Sequence, residues 1–205
     1  MPDCKKKGLM IVVSGPAGSG KGTVLAHLLK GGDYRYSVSA TTRSPRPGEV
    51  NGVNYHFLTR DAFLERLERD EMLEYTEYCG NYYGTPRKEA EEVLAGGCNL
   101  ILEIEVEGAA NVKRKYPDAV TIMLLPPTAA VLEARLRGRG TESEEVIRKR
   151  MAQARNEVAQ LEQYDYVVFN YDNQAQEAAD AIRRIVSVEQ FSTARNREIA
   201  TNYFA

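Results

Sequence analysis

The chain has 205 residues, long enough for one domain with a sizeable core, or one domain carrying inserts. Its 27 basic and 29 acidic residues nearly cancel, which argues against a nucleic-acid partner and for a small molecule or a protein. Three scattered cysteines (Cys4, Cys79, Cys98) read as reduced thiols, and two histidines (His27, His56) are too few for a histidine-rich metal site. The apolar run behind the basic N-terminus is too short for a signal-peptide core or a membrane span, so a cytoplasmic protein without a membrane partner is expected.

Leu9-Met10-Ile11-Val12-Val13-Ser14 predicts a buried strand, and Val24-Leu25-Ala26-His27-Leu28-Leu29 the apolar part of a helix. Between them lies GPAGSGKGT, residues Gly15, Pro16, Ala17, Gly18, Ser19, Gly20, Lys21, Gly22 and Thr23. Strand, glycine-rich turn and helix in that order form the setting in which backbone amides and a helix N-terminus cradle phosphates. Lys21 adds a full charge to that cradle. The alternative, a tight turn with a surface lysine, does not account for the flanking strand and helix. Gly22 stands where Ser or Thr usually follows the lysine, which leaves Thr23 to supply a hydroxyl to Mg²⁺.

Gly31-Gly32-Asp33 stops the helix, and Tyr34 to Ala40 predicts a short strand. Thr41 to Gly52 is a Pro- and Gly-bearing loop, and Val53 to Leu58 alternates as a half-buried strand. An amphipathic helix is expected over Asp61–Arg69, a strand over Met72–Cys79, and a turning segment at GNYYGTP, Gly80 to Pro86. Helix Lys88–Ala95, strand Asn99–Val106, helix Gly108–Lys115 and strand Ala119–Leu125 follow. Helix Thr128–Arg137 precedes the turn GRGTESEE. Thr141 and Glu144 then form a capping box opening a helix that runs to about Gln163. Strand Asp165–Asn170 and a helix from Asn173 to about Val188 complete the pattern. From Phe191 to Ala205 the chain is polar, and either a loose tail or a docking helix fits it. Alternating strands and helices around NLILEI, TIMLL and VVF predict an α/β fold whose parallel sheet is covered on both faces. The strand-rich stretch after Tyr34 reads as a small substrate subdomain on that core.

Four side chains of one loop region, Ser39, Arg43, Arg46 and Tyr55, suit a phosphate: two arginine forks around a rigid proline, with a phenol nearby. A solvated basic loop is the bland alternative. A guanine edge shows N–H donors beside an acceptor, so a site for it needs a carboxylate next to a hydroxyl. Glu74 and Thr85 are the first candidates, with Ser39 and Glu105 as seconds and Tyr83 to stack or to hold phosphate. Arg135 and Arg139, one turn apart, would repel unless an anion lay between them. Arg150 borders the same turn. Arg137, Arg148 and Lys149 lie nearby; part of this cluster is expected to be solvated face, with Glu144 or Glu145 able to pair with Arg148 or Lys149 at i,i+4.

On GPAGSGKGT, SVSATTRSPRPGEVNGVNY, EYCGNYYGTP, LEIEVEG, RLRGRGTES and VVFN, the chain resembles the guanylate kinases from about residue 8 to 188. The resemblance implies a P-loop nucleoside monophosphate kinase-like fold: core 8–35, 86–127 and 158–190, GMP-binding insert 36–85, lid 128–157 and tail 191–205. It implies Mg²⁺-dependent in-line transfer from ATP to GMP or dGMP. Ser39, Arg43, Arg46, Tyr55, Glu74, Tyr83, Thr85 and Glu105 would hold GMP. The P-loop residues Gly15 to Thr23, with Arg135, Arg139 and Asn170, would hold ATP, Asn170 near the adenine. Lys21, Arg43, Arg135, Arg139 and Arg150 would act on the transferring phosphates. Where that family usually reads Asp-Ile-Asp-x-Gln-Gly, this chain has Glu103-Ile104-Glu105-Val106-Glu107-Gly108. A related kinase acting on another nucleotide or a sugar phosphate, and a non-catalytic interaction module of the same fold, are the rival readings. The intact P-loop and the Glu74/Thr85/Ser39 set argue against both.

Overall fold

A computed structural model describes residues 8–78, 80–138 and 143–204. Its larger sheet has the strand order β2-β7-β1-β8-β9, with β1 at Met10–Ser14, β2 at Tyr34–Tyr36, β7 at Asn99–Glu103, β8 at Val120–Leu125 and β9 at Tyr166–Phe169. The β2–β7 and β8–β9 pairs are both parallel. Every residue of β1 and β8 is buried, as expected of strands covered on two faces. By internal contacts the chain falls into two compact units, one of Gly32–Ala119 with the chain up to Val12, the other of Val13–Gly31 and the chain from Val120.

In the first unit, α3 (Arg87–Ala95) buries Ala90 and Leu94, and α4 (Val106–Lys115) buries Val106, Ala109 and Val112. A second sheet, β4-β3-β6-β5, is built from β3 (Ala40–Thr41), β4 (His56–Phe57), β5 (Met72–Tyr78) and β6 (Asn81–Pro86). Beneath it α2 (Arg60–Glu68) drives Phe63 into a cluster with Ala40 and Met72, where its ring stacks on Tyr82 at 5.4 Å. Gly84 is required there, since a Cβ would lie 2.9 Å from the Glu74 carbonyl oxygen and 3.0 Å from the Phe63 ring.

Three expectations are corrected in this unit. The stretch 34–40 is two strands of different sheets, because the chain leaves β7 after the Ser37 amide bonds Ile101 O at 2.9 Å. The strand expected over 53–58 shrinks to β4. Asn51 and Asn54 side chains accept from the amides of Phe57 and Val50, each at 2.8 Å, and hold the preceding residues in a loop. GNYYGTP is a strand rather than a turning segment. Tyr78 pairs with Asn81, so β5 reverses into β6 at Gly80, where φ is 75°. Cys79 lies outside the described residues.

In the second unit, α1 (Lys21–Leu28) sets Val24, Leu25 and Leu28 against Ala178, Ala179, Ile182 and Val186 of α7 (Ala175–Glu189). Leu132 and Leu136 of α5 (Ala129–Gly138) pack with Ala154 and Met151 of α6 (Glu144–Val158). α6 begins at Glu144 with Ser143 as its cap, accepting from the Val146 amide at 3.4 Å. Thr141, expected in that role, lies outside the described residues. Glu144 instead pairs with Arg137, which also pairs with Glu133 at 2.8 Å. α6 stops at Val158, short of Gln163, and a single tight turn, Leu161–Gln163, leads on to β9. The tail holds a short exposed helix, α8 (Glu198–Asn202). Among the described residues no helix is long and apolar enough to cross a membrane.

Candidate functional site

In the second unit the loop after β1 turns on glycines with positive φ, 152° at Gly15 and 88° at Gly20. Both approaches are too close for a side chain: a Cβ on Gly15 would stand 2.2 Å from Leu124 O, and one on Gly20 2.3 Å from Asn170 Nδ2. Gly20 is also the N-cap of α1, with no side-chain cap and no acidic residue in the first turn. Among the other described helices of eight residues or more, α2, α3, α4, α6 and α7 carry an acidic residue there, and α5 does not. The exposed N–H groups and positive end of α1 are thus left for an anion. Lys21, the first residue of α1, donates to Gly15 O at 2.6 Å and arches over the loop. Gly22 faces open space and Thr23 is exposed on the same first turn.

Arg135, near the end of α5, is drawn onto this loop. It donates to Asn170 O at 2.8 Å, more weakly to Ser19 O at 3.4 Å, and to Asp172 Oδ1 through Nη2 at 2.7 Å and Nε at 3.1 Å. Asn170 is 5% exposed and gives its Nδ2 to Ser19 O at 2.9 Å. Its side chain therefore braces the glycine loop from the end of β9. Asp172 was not singled out from the sequence: a lone Asp two residues past a strand gives no signal of its own. The carboxylate supplies the counter-charge for Arg135 that the sequence argument sought in a bound anion between Arg135 and Arg139. Arg139 lies outside the described residues. Arg150 sits half-buried on α6.

In the first unit, β5 and β6 bring Glu74 and Thr85 opposite one another. Thr85 Oγ1 donates to Glu74 Oε1 at 2.8 Å, with Thr85 fully buried and Glu74 5% exposed. Burial pushes the Glu74 carboxyl up to about 7 against the bonds from Thr85 and the charge of Lys115, which favour the anion. Gly108, on the first turn of α4, makes room for it, since a Cβ there would lie 3.3 Å from Glu74 Oε2.

Arg43 lies in the loop after β3. Its two terminal nitrogens each meet one oxygen of Glu49 at 3.0 Å, and Nη1 also donates to Ser44 O at 2.6 Å. Its guanidinium carbon stands 5.4 Å from the Tyr55 ring centre and 5.7 Å from that of Phe57. Tyr55 and Tyr83 meet edge to face at 6.1 Å. Arg46 is exposed, and its amide donates to Glu49 Oε2 at 2.7 Å. Ser39 is half-buried, its carbonyl bonded by the His56 amide. Glu49 is the residue sequence reasoning missed, although RPGE carried the signal: Pro second and Gly third specify a turn that returns its fourth residue to its first.

The acidic strand end diverges. Glu103 accepts from Tyr36 O–H at 3.1 Å, and partial burial with that neighbouring charge holds the phenol far above its usual range. Glu105 is exposed and forms the N-cap of α4 by its backbone alone. Glu107 accepts from Thr76 Oγ1 at 3.4 Å, which gives the carboxylate at this position a partner. Among the described residues no group of three or more His, Cys, Asp or Glu could hold a metal by itself. The exposed hydroxyl of Thr23 is of a type that would suit a magnesium ion held mainly by substrate phosphates.

A parallel sheet, a glycine loop running into a helix, and a lysine on its first turn define an α/β protein of the P-loop kinase class. Comparison with known proteins narrows this. The family profile described as guanylate kinase matches residues 7–189. A guanylate kinase of Halalkalibacterium halodurans is 52% identical over 186 residues, covering 90% of each chain. One of Streptococcus thermophilus is 49% identical over 192 residues, covering 93% of this chain and 91% of its own. The crystal structure of guanylate kinase from Anaplasma phagocytophilum superposes with a TM-score of 0.76 at 31% identity, over 97% of this chain and 96% of that one. The chain belongs to the guanylate kinase family.

Proposed function

We propose that this enzyme works from the two sites just described, the loop Gly15–Thr23 holding ATP and the residues around Glu74 and Arg43 holding GMP. It transfers the γ-phosphoryl group of ATP to GMP, giving ADP and GDP. A phosphate monoester has a second pKa near 6, so the attacking GMP oxygen is already an anion at neutral pH and needs no general base. The barrier lies in bringing two polyanions into line and excluding water, a task for positioned charge. Lys21 and the α1 amides stabilise the donor phosphates, and Arg135, Arg139 and Arg150 spread the charge of the group in flight. Thr23 would offer its hydroxyl to Mg²⁺, which would supply further neutralising charge to the ATP phosphates. Segment 128–157 acts as the lid and insert 36–85 as the acceptor module. The protein works in the cytoplasm, with GMP or dGMP as the acceptor.

Glu74 carries the choice of acceptor. A buried carboxylate hydrogen-bonded to a threonine hydroxyl suits the N1–H and 2-amino donors of guanine, and meets no N–H on the N1/C2 edge of adenine. Sites that hydrogen-bond their substrate in this way reject analogues lacking the groups by about 10⁴-fold or more. A coupled assay with ATP and Mg²⁺ across GMP, dGMP, AMP, CMP and UMP tests the reading. Turnover confined to the guanine nucleotides is expected. Equal use of AMP, or no GDP formed from GMP, would refute it.

A further inference from the structure

We infer that Glu49 is a positioning residue for the acceptor phosphate: it fixes the Arg43 guanidinium so that only its side edge is left to bind the anion. The inference rests on the proposal that Arg43 binds that phosphate.

The geometry begins with a turn. In Arg46-Pro47-Gly48-Glu49 the Glu49 amide bonds Arg46 O at 3.0 Å, and Gly48 takes a φ of 85° that other residues resist. The turn carries the Glu49 side chain back over its own start, where Oε2 receives the Arg46 amide at 2.7 Å. The same carboxylate then takes both end nitrogens of Arg43 at 3.0 Å. Three donors thus hold one carboxylate whose side chain is 19% exposed, facing an arginine 16% exposed. A surface pair of long, solvated side chains has no such fixing.

Counting donors shows what remains. A guanidinium has five N–H groups in a rigid fork. Glu49 takes two and Ser44 O a third. Nε–H and the second N–H of Nη2 are bonded by neither Glu49 nor Ser44; they lie adjacent on one edge, spaced for two oxygens of one phosphate, and the Tyr83 hydroxyl is a further hydrogen-bond partner of the same guanidinium. The rings of Tyr55 and Phe57 lie near its carbon. Glu49 therefore acts at a distance from the substrate. It consumes the wrong fork, the end-on one, and removes the rotamer freedom Arg43 would otherwise lose on binding. The bonds from Arg43 and from the Arg46 amide hold the Glu49 carboxyl below its usual range, so the clamp is charged throughout the neutral region.

The rival account makes Glu49 a resident anion that the phosphate displaces. It predicts the opposite sign, since removing a competitor tightens binding. The test compares Glu49→Ala, Glu49→Gln, Glu49→Asp, Arg43→Ala and the Arg43→Ala/Glu49→Ala double variant. Each is measured for KM of GMP, KM of ATP, affinity for guanosine (the phosphate-free probe) and melting temperature. Expected is a rise of about tenfold in the GMP KM for Glu49→Ala, with guanosine affinity and ATP KM unchanged, and no further rise in the double variant over Arg43→Ala. Glu49→Asp should recover part of the loss, which a merely structural role in the turn would not produce. Should Glu49→Ala fold poorly, Glu49→Gln keeps an acceptor for the Arg46 amide and serves instead. An unchanged or lowered GMP KM in the Glu49 variants, with Arg43→Ala impaired, overturns the positioning role alone. An unimpaired Arg43→Ala overturns the reading of the phosphate site and the inference with it.

Discussion

Thr85 Oγ1 lies 2.8 Å from Glu74 Oε1, a threonine hydroxyl spent on a carboxylate that burial holds near neutrality. We expect the pair to make acceptor recognition depend on pH. The folded-state pKa, about 7, is above the unfolded value, so the protonated form is favoured on folding. Its contribution to stability is fully present below the unfolded pKa and is lost as pH rises through about 7.

Recognition of GMP runs the other way, because the N–H donors of guanine need the anion. We expect the GMP KM to rise as pH falls from 8 to 6, with a smaller change in the ATP KM. Glu74→Gln should flatten that profile and raise the GMP KM by about 10- to 100-fold, the size of a lost charged hydrogen bond. Steady-state kinetics across this pH range check both; a flat wild-type profile refutes the assignment.

Lys21 should matter for rate rather than for acceptor affinity. Lys21→Ala is expected to lower kcat by about 10²-fold or more, as when a preorganised donor to developing charge is removed. The GMP dissociation constant should move little. Turnover at the wild-type rate would defeat the P-loop assignment.

Two glycines on either side of Lys21 should respond in opposite senses. A Cβ at Gly22 meets nothing within 4 Å, so Gly22→Ala should stabilise the chain by about 0.4–1 kcal/mol through a less flexible unfolded state. Gly20→Ala places a Cβ against Asn170 at a φ of 88° and should both destabilise the fold and weaken ATP binding. Thermal melts with and without ATP separate the two effects.

The two arginines of α5 make a further contrast. Arg135 is drawn to Ser19, Asn170 and Asp172, whereas Arg137 is spent on Glu133 and Glu144 at the surface. Arg135→Ala should reduce kcat and raise the ATP KM, while Arg137→Ala leaves both near wild type and barely moves the melting temperature. Equal kinetic losses in the two would contradict the division.

Much of the framework was legible in the sequence. Leu9 to Thr23 announced strand, loop and helix because backbone preferences and apolar period act over a few residues. Glu74 and Thr85 were legible as types, a carboxylate and a hydroxyl on either side of a turn. Their mutual distance was not, since it depends on the β5–β6 register, and the turn-forming residues of GNYYGTP mask the strand that sets it. The capping of α6 went astray for a local reason: Thr141 and Ser143 are both good caps, and the pairing of Glu144 with Arg137 lies beyond any capping rule.

By itself, then, the sequence determined where phosphate loops and helix ends form, because turn residues and hydrophobic spacing fix local geometry. Only the tertiary structure decided which charges meet. Arg135 finds Asp172 across a separation of 37 residues, and Tyr36 finds Glu103 across 67. With 27 basic and 29 acidic residues to choose from, partner choice is set by through-space distance after the strands have aligned, and no pattern along the chain encodes it.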